Sequence, residues 1–200
     1  MRMRRFIDYY KWHLFFLLLI IVCLGFIFIN MASKTEPDLV VGYLGINYVN
    51  VQTFNDNKSE IELLLRDAND DGEKISTIYA YAVDLESDLH DTFADMIDSD
   101  DYDIYITTKA ALKKVKDKSV FVAADEYVTL TGKEIDTLKD KSGRTYAVSL
   151  EDNDYVKKMG ILNTTDLYIA VAQSQDEKDG ELPGNRKNGR NIAGYIIGEE

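Results

Sequence analysis

From Leu14 to Ile29 the chain reads LFFLLLIIVCLGFIFI, apolar on every side and free of charge, and a polar stretch from Ala32 to Pro37 follows soon after it. These sixteen residues rise about 24 Å as a helix, and the amphipathic flanks from Tyr9 to Met31 extend the rise to roughly 34 Å, enough for a hydrocarbon core of about 30 Å. Residues 14–31 are therefore read as a transmembrane helix, anchoring the protein in a lipid bilayer. Arg2, Arg4 and Arg5 hold the N-terminus, 1–13, in the cytoplasm, and Tyr9, Tyr10 and Trp12 sit at the interface as aromatic anchors. The exit, INMASKTEP, offers no small-x-small cleavage site, and Val22 stands before Cys23 where a lipoprotein signal needs a small residue. An uncleaved signal anchor is expected, with 32–37 as a linker and 38–200 as an extracellular domain at the cell membrane.

After Pro37 short strand-like runs alternate with amphipathic helices. Leu39 to Ile46 (LVVGYLGI) is apolar on both pleat faces, as in a central strand. Ser59 to Ala68 places Ile61, Leu64, Leu65 and Ala68 on one helical stripe; Ile75 to Val83 is β-branched and aromatic; Leu85, Leu89, Phe93, Met96 and Ile97 return to helical spacing; Asp103 to Thr107 is a third strand. Further on come a short helix from Lys109 to Val115 capped by Thr108, a short strand from Val120 to Ala124, and a strand from Arg144 to Leu150. A helix from Asp152 to Met159 closed by Gly160 leads to a strand from Leu167 to Ala172. The polar stretch Gln173 to Asn188 reads as a loop, and Gly189, Gly194 and Gly198 weaken a terminal helix around Ile192 and Ile196. The whole predicts an α/β domain: a mostly parallel βαβ sheet with helices on both faces.

Composition changes this picture in one respect, through charge. The chain has 23 basic and 35 acidic residues; setting aside Arg2, Arg4, Arg5, Lys11 and Asp8 leaves 19 against 34 beyond the anchor. A domain with that excess of carboxylates repels phosphate backbones, so no nucleic-acid partner is expected. Cys23, the one cysteine, lies within the apolar run, which leaves the outer domain without a disulfide and suits a Gram-positive envelope.

The segments IDYYKWH, DLVVGYLG, DYDIYITTKAALKKV and SGRTYAVSL, following a basic start and an apolar helix, resemble small membrane-anchored Firmicutes proteins related to extracellular solute-binding proteins of ABC transporters. The resemblance covers most of 38–172. It implies one lobe of a periplasmic-binding-protein-like fold, with Asp103 to Thr107 ending beside a ligand cleft and Gly143 to Leu150 leading away from it. A complete two-lobed binding protein is roughly twice as long, so a closed cleft is not implied.

In open α/β sheets ligands bind outside the carboxyl ends of the strands, which nominates Asn47, Asp84, Thr107, Thr108 and Ser149, with Ile46 beside them. The segment Asp67-Ala-Asn69-Asp-Asp71-Gly72 matches the opening of a calcium loop, but position 12 falls on Ile78. Asp67, Asn69 and Asp71 are therefore a weak metal candidate, read mainly as a helix-to-strand turn. His90 lies off its apolar stripe and is expected to be exposed, and no nucleophile elbow, phosphate loop or zinc spacing occurs. No cofactor and no catalysis are expected. The leading expectation is a membrane-tethered, solute-binding-like domain that holds a small polar or cationic ligand or peptide weakly. The alternative is an envelope interaction subunit contacting another membrane protein. Converging polar side chains at the strand ends would mark the first, an exposed apolar patch the second.

Overall fold

The structure, a computed structural model, describes residues 10, 12–13, 15–26, 35–46, 48–83, 86–129, 135–174 and 182–198. The chain divides into two units, Met1–Glu36 and Pro37–Glu200. In the first, residues 15–26 form a helix, α1, whose side chains are all exposed. Leu14 and residues 27–31 of the expected span lie outside the described residues, and among the described ones no helix is long and apolar enough to cross a membrane.

The second unit is an α/β domain around a six-stranded sheet. In chain order it runs β1 (Leu39–Gly45), α2 (Val51–Asn57), α3 (Ser59–Leu64), β2 (Ser76–Ala82), α4 (Glu86–Ser99), β3 (Ile104–Thr108), α5 (Lys109–Lys114), β4 (Thr137–Lys139), β5 (Thr145–Ser149), α6 (Asp154–Lys158), β6 (Leu167–Val171) and α7 (Gly184–Gly198). The strand order is β2-β1-β3-β6-β5-β4. Alternate strand residues feed two buried clusters. One holds Val41, Ile106 and Ile169 with Phe54, Ile61, Val156 and Ile196 from α2, α3, α6 and α7. The other holds Tyr105, Ala147 and Ala170 with Phe93, Met96 and Leu112 from α4 and α5.

The sheet is mixed, where a mostly parallel one was predicted. β1 pairs in parallel with β2 and β3, but β3–β6, β6–β5 and β5–β4 are antiparallel. The cause is local. A tight turn through Gly143, at φ +88°, joins β4 to β5, and parallel strands need a far longer crossover. After β5 the chain stays at the edge where that strand ended, because Leu150 N–H donates to Leu167 O at 2.8 Å and Asp152 N–H to Thr164 Oγ1 at 3.2 Å. It therefore starts β6 from that same edge, pointing back.

Other differences have equally specific causes. The expected helix Ser59 to Ala68 starts at Ser59 as predicted but stops at Leu64, and a separate helix, α2, precedes it, capped by Asn50, which accepts from the N–H groups of Gln52 and Thr53. It stops because Asn188 binds both the N–H (2.9 Å) and the carbonyl (2.8 Å) of Arg66, while Asp38 accepts from Ala68 N–H at 2.6 Å, so tertiary bonds replace the next helical turn. Instead of a strand from Val120 to Ala124 there are two 3₁₀ turns and one bridge between Phe121 and Ala172. The terminal helix α7 reaches back to Gly184, and two of its glycines serve close approach: a methyl group on Gly189 would come within 3.1 Å of Asp103 Cβ, and one on Gly194 would strike the Tyr127 carbonyl. The Thr108 cap, whose Oγ1 accepts from Ala111 N–H at 3.3 Å, and Gly160 beyond α6, at φ +92°, are as the sequence predicts.

A buried polar network closes the amino ends of β1 and β3. Asp103 is 1% exposed and accepts from Val40 N–H (2.8 Å) and Asn185 Nδ2 (3.0 Å), with Arg186 Nη1 at 3.5 Å. Burial pushes the Asp103 carboxyl up from its ordinary 3.8 to about 6, against the lowering effects of Val40 N–H and Arg186. A carboxyl raised on folding adds stability below its unfolded value, and that contribution is lost as pH rises through about 6. Each unit is worth about 1.4 kcal/mol, so unfolding free energy should fall by about 2–3 kcal/mol between about pH 4 and pH 7. Urea denaturation across that range checks this; Asp103→Asn should flatten the slope, and an unchanged slope in that variant would refute the assignment.

Candidate binding edge

β1, β3 and β5 all run in one direction, so Gly45, Thr108 and Ser149 end at a common edge. The strand order reverses beside β1, with β2 on one side and β3 on the other, which is where open α/β sheets gather ligands. Two nominated residues, Asn47 and Asp84, lie outside the described residues. The remaining three are close in the sheet: Thr107 and Ser149 both pair with Tyr168, one from each side, and Thr108 follows Thr107.

Their environments differ sharply. Thr107 is 0% exposed, and among the described residues its Oγ1 has no hydrogen-bond partner, so it belongs to the core beneath the edge. Thr108 spends its hydroxyl on the α5 cap. Ser149 Oγ accepts from Glu151 N–H at 3.2 Å, shaping the turn after β5.

The charged feature of this edge is one that sequence reading missed. Tyr168 Oη donates to Asp136 Oδ2 at 2.5 Å, Lys109 Nζ donates to the same oxygen at 2.7 Å, and the ammonium stands 5.4 Å from the Tyr168 ring centre. Lys109 and Tyr168 hold the Asp136 carboxyl down to about 2. The same contacts, Asp136 first, raise Lys109, while burial and then Asp136 raise Tyr168. All three shifts move away from neutrality. The triad therefore keeps one charge state across ordinary pH: it can orient and bind but has no proton to exchange near pH 7. Only the threading of β6 between β3 and β5 joins residues 109, 136 and 168, and no periodicity announces that.

Exposed apolar side chains stand on the segments that follow β1 and α6. Asn50 N–H donates to Gly160 O at 3.1 Å, tying the segment after β1 to the segment after α6. From these joined segments Ile46 (59% exposed), Tyr48 (87%), Val51 (41%) and Leu162 (77%) meet solvent. No protein-family model, no curated protein and no solved structure matches this chain.

Cavities of about 330 and 590 Å³ open elsewhere, the first lined by Asp100, Tyr105 and Ser174, the second lying between α4 and α5. His90 lines the second. It is half-buried rather than exposed, and neither ring nitrogen has a partner among the described residues.

The 67–73 segment is folded as a turn around its own amides. Asp67 Oδ2 accepts from Gly72 N–H at 2.8 Å, Asn69 Oδ1 from Asp71 N–H at 3.1 Å, and Asp71 Oδ1 from Glu73 N–H at 2.9 Å. Asp70 and Gly72 both take positive φ, +57° and +86°. Among the described residues no group of three or more His, Cys, Asp or Glu side chains is placed to hold a metal ion. Two outcomes follow for Asp67, Asn69 and Asp71. Millimolar calcium should leave the urea midpoint unchanged, and Gly72→Ala, which meets no neighbour but must hold positive φ, should cost about 1 kcal/mol. A calcium-dependent rise in the midpoint that disappears in Asp67→Ala would make the segment a metal site.

Proposed function

We propose that the protein is a membrane-tethered, non-catalytic binding domain displayed outside the cell, acting as an interaction subunit through the edge where β1, β3 and β5 end. The apolar run Leu14 to Ile29 behind an arginine cluster supports the tether, and the acidic composition of the rest supports a solvated outer domain. The α/β fold is compatible with the resemblance to one lobe of a solute-binding protein, carried by segments such as DYDIYIT and SGRTYAVSL.

The observation that carries the choice of occupant is the set of exposed apolar side chains Ile46, Tyr48, Val51 and Leu162 on the segments that follow β1 and α6. Apolar and aromatic anchors with a polar rim are the anatomy of a protein–protein contact. A small solute instead needs convergent hydrogen-bonding groups, and here Thr107 is sealed in the core while Thr108 and Ser149 serve the backbone. The favoured occupant is an apolar segment of another protein of the same membrane. A second reading, weak binding of a small polar or cationic solute or peptide, is favoured by one observation, the reversal of strand order beside β1.

Site-specific photo-crosslinking in intact cells tests the proposal. A crosslinker at Tyr48 or Leu162 should trap one partner, one at Lys74 should trap none, and Ile46→Asp should abolish the product. External protease should digest residues 38–200 in unbroken cells. Protection until lysis would refute the topology; a metabolite hit lost in Thr108→Ala, with no crosslink at Tyr48 or Leu162, would transfer the function to the solute reading.

A further inference from the structure

At the opposite end of β5 from Ser149, a groove of about 640 Å³ runs between the end of α5, the 3₁₀ turn that follows it and the β4–β5 turn. In a domain dominated by carboxylates it is lined by six cations, Lys113, Lys116, Lys118, Lys139, Lys141 and Arg144, and by two carboxylates, Asp117 and Asp140. Neither carboxylate neutralises the lysines. Asp140 Oδ1 accepts from Ser142 N–H (2.8 Å), Ser142 Oγ (2.6 Å) and Arg144 N–H (3.1 Å), and its Oδ2 from Arg144 Nε at 3.1 Å. These bonds hold the Asp140 carboxyl down to about 2. Asp117 Oδ1 caps Ser119 N–H at 2.8 Å.

Two cations form the floor. Lys118 donates to the Leu112 carbonyl and stands 5.1 Å from the centre of the Tyr146 ring. Arg144 donates to the carbonyls of Phe121 at 3.1 Å and Lys118 at 2.5 Å. Lys118 is half-buried with a carbonyl and a ring as its partners, and burial lowers its pKa, so an anion in the groove would stabilise its charged form. The remaining four lysines are exposed, and among the described residues none pairs with an acid. Lysines serving only to solvate the surface would find carboxylates plentiful in this chain, with 35 acidic residues against 23 basic. This groove instead keeps a net positive charge within a chain of net charge -12.

We propose that this groove binds an anion carrying two or more phosphate groups, with Lys118 and Arg144 as its fixed floor and Lys113, Lys116, Lys139 and Lys141 as its mobile walls. Lysine ammoniums act as compact point charges that approach phosphate oxygens from any direction, and four unpaired ones match a ligand of several charges better than a single carboxylate. The same chemistry is offered by a soluble polyphosphorylated molecule and by anionic phospholipid headgroups. The site is independent of the carboxyl edge and stands or falls separately from it.

The test uses the full chain in nanodiscs of zwitterionic lipid, titrated calorimetrically with inorganic tripolyphosphate. Binding is expected with a Kd on the order of 10–100 µM at low salt, at least about tenfold tighter than monophosphate, and weakened about tenfold or more when salt rises from about 50 to about 500 mM. The double reversal Lys139→Glu/Lys141→Glu, at two exposed positions, should reduce affinity at least tenfold, while Lys157→Glu on α6 should leave it unchanged. Repeating the titration in nanodiscs containing anionic lipid separates the sources: undiminished binding assigns a soluble ligand, and competition that disappears in the double reversal assigns headgroups. Absence of tripolyphosphate binding, or equal loss in the Lys157→Glu control, overturns the proposal.

Discussion

Four buried polar side chains, Asp38, Asp103, Arg186 and Asn188, hold the amino end of this sheet together, and much of the molecule is arranged around satisfying them. Asp38 accepts from Ala68 N–H at 2.6 Å and Ile75 N–H at 2.9 Å; Asn188 binds Arg66 on both sides and donates to Asp38 O at 3.0 Å; Arg186 donates to the Tyr102 carbonyl and to Asp100 O at 2.9 Å. Leaving one such group unpaired costs roughly 1–3 kcal/mol, and breaking a buried charge pair costs about 3–5 kcal/mol. The clasp therefore pins α7 against β1 and β3, ends α3 at Leu64, and sets where the chain can enter β2.

With the amino edge closed in this way, the carboxyl edge is the open one. There Tyr168 and Lys109 are matched to Asp136 and Thr108 to its own helix, and the exposed side chains of the described residues after β1 include Ile46, Tyr48 and Val51. The proposed recognition at this edge would rest on burial of Ile46, Tyr48, Val51 and Leu162. The basic groove at the far end of β5 differs in kind: its energy is electrostatic, long in range and sensitive to salt. If both proposals hold, the two surfaces differ in their response to salt, the apolar one insensitive to ionic strength and the basic one dependent on it.

Much of the fold was legible because it is written locally. β1, β3 and β6 are continuous apolar runs, the Thr108 and Gly160 caps follow from single residues, and α4 follows its 3.6-residue stripe. What escaped is set by distant partners. β4 has only Thr137–Lys139 and one fully buried side chain, too short to show a period. The first turn of α7 reads as loop because Gly184, Arg186 and Asn188 are polar or flexible, yet they are buried or closely packed against Ala68, Asp103 and Arg66. At the edge, Thr107 and Ser149 were placed correctly along their strands, but the Tyr168 row between them depends on β6 lying between β3 and β5. The groove's lysines were visible in sequence as two clusters, 113–118 and 139–144; the turn from β4 to β5 brings them to a single rim.

The clasp fixes the amino end of the sheet, and residue-resolved hydrogen exchange measures it directly. The amides of Val40, Arg66, Ala68 and Ile75 donate to its side chains, so they should exchange only through global unfolding, as slowly as Ile106 in the middle of β3. Exchange at those four amides orders of magnitude faster than at Ile106, through local opening, would contradict the account.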